Sequence, residues 1–148
     1  MIFLEIAKRS GYRGYVTSRS FGGLTVPVPM QSLALRDYCS RKGYIYKLHL
    51  NENIFPHSYM VLEGIAVDTS SFEGILMCSM FMLPTNSVRR EAVLQKILQQ
   101  ETPIHFVFED VVIKSFNDIN LIEDSLNAAS IIPFCPSVTS KEILDFDS

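Results

Sequence analysis

Between Gly11 and Gly43 the apolar period changes from two to between three and four, and that switch limits what the rest of the chain can build. Tyr12 to Thr17 alternates aromatic and β-branched residues with polar or small ones, the signal of a strand. From Pro29, Ala34, Leu35, Tyr38 and Cys39 fall on one helical face while Ser32, Arg36 and Ser40 fall on the other, and Gly43 supplies the C-terminal stop. Strand then helix is the first half of a βαβ unit. The loop between them runs from Thr17-Ser18-Arg19 through Gly22-Gly23 to Pro27 and Pro29, so hydroxyls and an arginine collect where a strand ends.

The same alternation of periods continues down the chain. Tyr44 to Leu50 reads as a second strand, with Tyr44, Tyr46, Leu48 and Leu50 opposed to Ile45, Lys47 and His49. Ser58 is the expected N-cap of a helix over Tyr59 to Val67. Phe72 to Leu83 holds the continuous apolar run Ile75-Leu76-Met77-Cys78, as a central parallel strand covered on both faces does, and Gly74 and Pro84 favour strand over helix there. Asn86 or Ser87 caps a segment with Leu94, Ile97 and Leu98 in register, its polar face carrying Arg89 and Arg90 as a solvated helix start. Ile104 to Val112 reads as the fourth strand, and Asn117-Asp118 opens a last helix to about Ala129. Met1 to Ile6 is either a short edge strand or a frayed arm.

The order βαβαβαβα implies an α/β fold, a single-domain three-layer sandwich with a mainly parallel four- or five-stranded sheet, because parallel neighbours need right-handed crossovers. One domain over 1–148 accords with the size, which buries roughly 68–70% of the unfolded surface, and 131–148 is expected to be a docked or flexible C-terminal tail. A hydrophobic content of 47% places the chain among globular proteins, and a net charge of −3 argues against phosphate-backbone coating as its main business. Cys39, Cys78 and Cys135 are too scattered for a disulfide framework, which points to reduced thiols and a cytoplasmic location. The apolar run at the N-terminus is short for a signal peptide, and nothing reaches the length of a membrane span. No ligand spacing suggests a metal, and no motif names a cofactor: GxxxxGK[ST] and GxGxxG are both absent.

In open α/β sheets ligands sit beyond the carboxyl ends of the strands. Those ends are Thr17-Ser18-Arg19, Asn51-Glu52, Ser79-Met80-Phe81 and Glu109-Asp110. Ser18, Arg19 and the loop glycines can offer a hydroxyl, a guanidinium fork and backbone N–H groups to one anion, and Arg13 adds a second charge if it points outward. The competing reading leaves Arg19 solvated and the glycines merely turning the loop. Glu52 and His57 bracket NENIFPHS as a usable acid–base pair, against the alternatives that His57 is simply exposed and that Glu52 caps the following helix. Ser79 interrupts an apolar strand, either to satisfy a core hydrogen bond or to face the site. Cys78 beside it reads as a core thiol, Met77, Met80 and Met82 as core filler, and His49 and His105 as strand-face residues without a role.

Two resemblances follow from these strings. Gly14-Tyr15, the helix with Gln31, Leu35, Arg36 and Tyr38, and the strand from Glu73 to Leu83 resemble the layout of serine recombinase (resolvase) catalytic domains, which implies a resolvase-like or flavodoxin-like sheet. The catalytic residues of that family do not carry over. With Tyr15 on the motif tyrosine, Thr17 stands at the arginine and Arg19 at the nucleophilic serine, and Phe81-Met82-Leu83-Pro84 has no arginine. GYRGYVTSR, VPVPMQ, LRDYC and NENIFPHSYMVLEG are similar to the sporadic carbohydrate cluster proteins, found among genes for surface-carbohydrate synthesis. That resemblance implies a role in making or modifying an unusual sugar, and groups Arg13, Ser18, Arg19, Gln31, Arg36, Asn51 and Glu52 as a possible cluster.

Two functional readings therefore stay open, and a third, DNA binding by a degenerate recombinase, is disfavoured by the net charge of −3. In one, the protein binds or converts an anionic sugar, sugar phosphate or nucleotide sugar, by isomerase, epimerase or lyase chemistry if it is an enzyme. Ser18, Glu52 and His57 are then the candidate catalytic residues, and Arg13, Arg19, Gln31, Arg36, Asn51 and Ser79 the candidate ligand-binding ones. In the other, it is a non-catalytic recombinase-like scaffold that docks a partner enzyme of the same pathway. Both expect a homo-oligomer or a partner enzyme, and no membrane or nucleic-acid partner.

Overall fold

The computed structural model describes residues 9–52, 54–55 and 57–131; the N-terminal arm, Cys135 and the tail lie outside the described residues. Among the described residues five strands and four α-helices follow in the order β1 (Tyr12–Thr17), α1 (Val28–Lys42), β2 (Tyr46–Glu52), α2 (Met60–Val67), β3 (Gly74–Met77), α3 (Ser87–Leu98), β4 (Ile104–Phe106), β5 (Val111–Ile113) and α4 (Asp118–Ile131). A short 3-10 turn, Met80–Met82, follows β3. The sheet runs β2-β1-β3-β4-β5, parallel except for the antiparallel β5. The step from β1 to β2 and the step from β2 to β3 cross the sheet in opposite directions. Right-handed crossovers thus put α1 on one face and α2 and α3 on the other, with the order reversing between β1 and β3.

The core follows from this layering. Gly74–Met77 is buried along its whole length because helices cover both faces of β3. Ile75, Leu76, Leu35, Leu62, Leu94, Ile97, Ile104 and Phe106 are fully enclosed around it. On the α1 face, Tyr12 stacks on Tyr44 at 4.2 Å and His105 meets both rings edge-on, while the Tyr38 hydroxyl and His105 Nδ1 lie 2.7 Å apart. Gly43 ends α1 in the left-handed conformation, as its position at the end of the helical period requires.

Four local expectations are corrected. The apolar stretch from Ile104 to Val112 is not one strand: it folds at Val107–Asp110 into the β4–β5 hairpin, pairing Ile104 with Ile113 and Phe106 with Val111. Asp110 takes a φ of 53°, and Glu109 is drawn back onto the end of β3. The alternation of β2 is broken by a register shift, since Arg13 pairs with Lys47 but Tyr15 with Leu50. The bulge brings Tyr46 and His49 onto one face, with Tyr46 Oη and His49 Nδ1 3.2 Å apart. Ser58 does not cap α2; Tyr59 occupies the N-cap position and its side chain makes no cap bond. Arg90 is not solvated: it reaches Glu123 of α4 through two 2.7 Å bonds and donates to the carbonyls of Pro84 and Thr85. That guanidinium neutralises a carboxylate and fills the corner between α3 and α4.

Gly14 lies under the β2 bulge, where a Cβ would stand 2.7 Å from Tyr46 Oη, 3.0 Å from His49 Cβ and 3.1 Å from Leu35 Cδ1. Gly14→Ala should therefore lower stability by about 1–3 kcal/mol through overpacking, read from the midpoint of urea unfolding. A variant as stable as the parent would place the bulge elsewhere. His105 supplies a pH-dependent term: burial, then the Lys114 and Lys42 charges, push its pKa down from 6.5 to about 4. Because the folded state favours neutral imidazole, this contribution is fully present above pH 6.5 and is lost as pH falls through 4. It amounts to on the order of 3 kcal/mol. Urea midpoints for wild type and His105→Phe should change differently between pH 7 and pH 4, with the steeper acid loss in wild type.

Candidate functional site

The carboxyl end of β1 is fixed by one side chain of α1. Gln31 is fully buried; its Oε1 accepts from Thr17 N at 3.1 Å, and its Nε2 donates to Thr17 O at 2.6 Å and Val26 O at 2.7 Å. Both ends of the β1–α1 loop are thereby tied to the first turn of α1. Within the loop, Phe21 and Leu24 exchange backbone bonds at 2.9 Å around Gly22 and Gly23, which take φ values of 56° and 77°. Phe21 is buried beneath this turn, and the Phe81 ring lies where a Gly22 side chain would stand. The loop is a packed hairpin, and its outer rim carries Ser18, Ser20 and Thr25.

Arg19 leaves this rim with its direction set. Thr17 Oγ1 accepts from Arg19 N at 3.1 Å and from Arg19 Nε at 3.3 Å, and the guanidinium carbon stands 4.4 Å from the centre of the Tyr59 ring. Arg89 lies 5.0 Å from the same ring. Arg89 is already neutralised by Glu63, which it grips with two 2.8 Å bonds while also donating to the His57 carbonyl. These bonds hold the Glu63 carboxyl below its usual range. Arg19 has no carboxylate partner among the described residues, so its two terminal nitrogens present an uncommitted fork.

Glu52 sits behind this edge in a structural post. Its Oε1 accepts from Tyr15 Oη at 2.8 Å and Leu62 N at 3.2 Å, and its Oε2 accepts from Val61 N at 3.0 Å. A buried carboxylate thus caps the N-terminus of α2 in place of Ser58, and compensates the positive end of that helix. Burial and the adjacent carboxylate push the Tyr15 hydroxyl far up, so it stays a neutral donor. His57 is exposed, with a φ of 58°, and its carbonyl is what Arg89 holds.

The remaining candidates separate. Ser79 Oγ donates to Glu109 Oε2 at 2.8 Å and accepts from Phe81 N, which ties β3 to the β4–β5 turn. Its hydrogen bonds are internal ones. Arg13 lies lower in the sheet, over the Phe72 ring at 4.6 Å and bonded to the Leu48 carbonyl. Arg36 is on the exposed face of α1 above Tyr46, and Asn51 is exposed near the end of β2. The structure therefore brings Arg19, Glu52 and His57 to the edge that carries Tyr59, leaves Ser18 exposed beside Arg19 in the chain, places Gln31 behind them as the clamp on Thr17, and leaves Arg13, Arg36 and Ser79 elsewhere. Tyr59 and Arg89 are the neighbours that sequence reasoning missed. Tyr59 reads as one apolar helix residue and Arg89 as a surface charge until β1 and α3 are brought beside α2.

Among the described residues no helix is long and apolar enough to cross a membrane, and no group of three or more His, Cys, Asp or Glu could hold a metal. Burial pushes the Cys78 thiol up to about 12 and the Cys39 thiol to about 11, so neither is a ready thiolate.

No family model matches this sequence, and no curated protein does. Solved structures do share its architecture. The N-terminal catalytic domain of TP901-1 integrase superposes with a TM-score of 0.56 at 13% identity, over 77% of this chain and 98% of that one. A resolvase family site-specific recombinase from Streptococcus pneumoniae gives 0.52 at 11% identity, over 92% of this chain and 97% of the other. At such identities the likeness is one of fold.

Replacing Glu52 by Gln sets an amide N–H₂ among donors that now meet a carboxylate. Glu52→Gln should cost roughly 2 kcal/mol of stability, measured by urea unfolding at pH 7. An unchanged midpoint would remove the carboxylate from its capping role. The chain shares the single-domain, resolvase-like α/β fold of serine recombinase catalytic domains.

Proposed function

We propose that the protein binds an anionic ligand at the Arg19 edge, and that the ligand is an acidic sugar, a sugar phosphate or a nucleotide sugar. One observation carries the anion: Arg19 is tethered through Nε and laid against Tyr59, yet keeps its terminal nitrogens without a carboxylate partner among the described residues. A pre-oriented fork loses little rotamer freedom on binding, and Ser18, its neighbour in the chain, is exposed. The sugar rests on the resemblance of GYRGYVTSR and NENIFPHSYMVLEG to proteins of surface-carbohydrate gene clusters.

Binding is a better account of this edge than turnover. Glu52 accepts from three donors and keeps α2 in place, so a proton transfer through it would uncap the helix. His57 is the remaining titratable group of the set, and its exposed loop position favours contact with a ligand over general-base work. One observation favours docking of a pathway enzyme as a second reading: Ile54, Phe55 and Met60 are 67%, 70% and 69% exposed on the segment that leads into and out of Tyr59.

A thermal-shift screen of sugar nucleotides, sugar phosphates and acidic sugars tests the proposal, because a ligand of the folded state raises apparent stability in proportion to its affinity. A hit should bind Arg19→Ala about 10- to 100-fold more weakly by calorimetry. The variant's melting temperature without ligand should stay close to that of wild type. Equal binding to both proteins would refute the anion site. No hit across the three classes, with a stable enzyme complex recovered from the host, would favour docking.

A further inference from the structure

An open pocket lies on the α1 side of the sheet, where α1 crosses the edge of β2. Val28, Pro29, Ser32, Leu33, Arg36 and His49 surround a volume of about 460 Å³. Its size is within the range of roughly 300–1,000 Å³ typical of small-molecule sites. The lining divides by chemistry. Val28, Pro29 and Leu33 make an apolar wall from the first two turns of α1, and Arg36 and His49 supply a guanidinium and an imidazole. The β2 bulge creates this arrangement, since it turns His49 onto the α1 face beside Tyr46, whose hydroxyl lies 3.2 Å from His49 Nδ1.

The charge of Arg36 has no carboxylate to meet it among the described residues. Asp37, its neighbour in sequence, is paired with Arg41 at 2.8 Å, and the only described contact of the Arg36 guanidinium is the Tyr46 ring at 5.6 Å. An apolar wall with one fixed cation beside it selects a ligand that is apolar at one end and anionic at the other. A phosphate or sulfate would use Arg36 and leave the wall wet; an uncharged hydrocarbon would use the wall and leave the cation without a partner.

We infer that this pocket binds a small apolar carboxylate, its carboxyl group on Arg36 and His49 and its hydrocarbon body on Val28, Pro29 and Leu33. The site is separate from the Arg19 edge and does not depend on the function proposed there. Phenylacetate titrated into the full ¹⁵N-labelled chain should shift the resonances of Ser32, Leu33, Arg36 and His49 in a saturable way. Phenylacetamide, of the same shape without the charge, should bind at least fivefold more weakly, as should acetate, which lacks the ring. Arg36→Gln should also weaken phenylacetate at least fivefold, whereas Arg41→Gln, a charge removed elsewhere on α1, should leave it unchanged. Absence of saturable shifts at these residues overturns the inference, and so does equal binding of phenylacetamide, of acetate or by Arg36→Gln.

Discussion

The buried amide of Gln31 is the interaction on which the candidate site depends. A side-chain amide removed from water costs several kcal/mol unless its donors and acceptor are used. Here Oε1 takes the last N–H of β1, and Nε2 serves the carbonyls of Thr17 and Val26. The amide therefore acts as an extra strand-like partner for Thr17, at the point where the sheet order reverses and backbone groups would otherwise open to solvent. Fixing Thr17 fixes its hydroxyl, and that hydroxyl holds both the backbone and the Nε of Arg19. The direction of the arginine is set by a chain of three bonded residues rather than by the loop glycines.

Glu52 shows how the same edge divides structural work from recognition. The N-terminus of α2 is a natural anion site, with unsatisfied N–H groups and a positive dipole end. An internal carboxylate already occupies it, so these N–H groups are not open to an external anion. Arg89 is treated likewise: it flanks Tyr59 as Arg19 does, but Glu63 takes its charge. Of two guanidiniums against one ring, only Arg19 keeps a fork to offer.

The elements were legible in the sequence wherever a period was sustained. The helical faces of α1 and α3, the extent of α4, the continuous run of β3 and the stop at Gly43 could be read directly, and the start of α3 to within the pair Asn86-Ser87. What failed was long-range or one residue in extent. The β2 bulge reverses the expected facing of His49, and its cause is a glycine on another strand, Gly14, that admits Tyr46. The β4–β5 turn contains neither Gly nor Pro, so a run of Val and Phe concealed it until Glu109 was seen to fold back on Ser79. Arg90 looked solvated because its partner, Glu123, is 33 residues away. That Ser18 and Arg19 follow the end of β1 is legible because local pattern reveals a strand's end, whereas Tyr59 meets Arg19 only once α2 has packed.

The resolvase-like sheet itself sets no chemistry. Its strand order presents the ends of β1 and β3 side by side, and a chain of this architecture can either leave that crevice open or fill it. Here Phe21 is buried under the β1–α1 turn and Phe81 lies against Gly22 at its mouth, while Ser79 and Glu109 tie the end of β3 to the β4–β5 turn beside it. The polar groups left at the rim, on the side of β2 and Tyr59, are the exposed Ser18 and the tethered cation of Arg19. Under the binding proposed above, that pairing suits a partner which arrives with its own negative charge, while the carboxylate behind it, Glu52, is committed to capping α2. The packing at the switch point, more than the identity of any one residue, is what sets where the free polar groups of this edge lie.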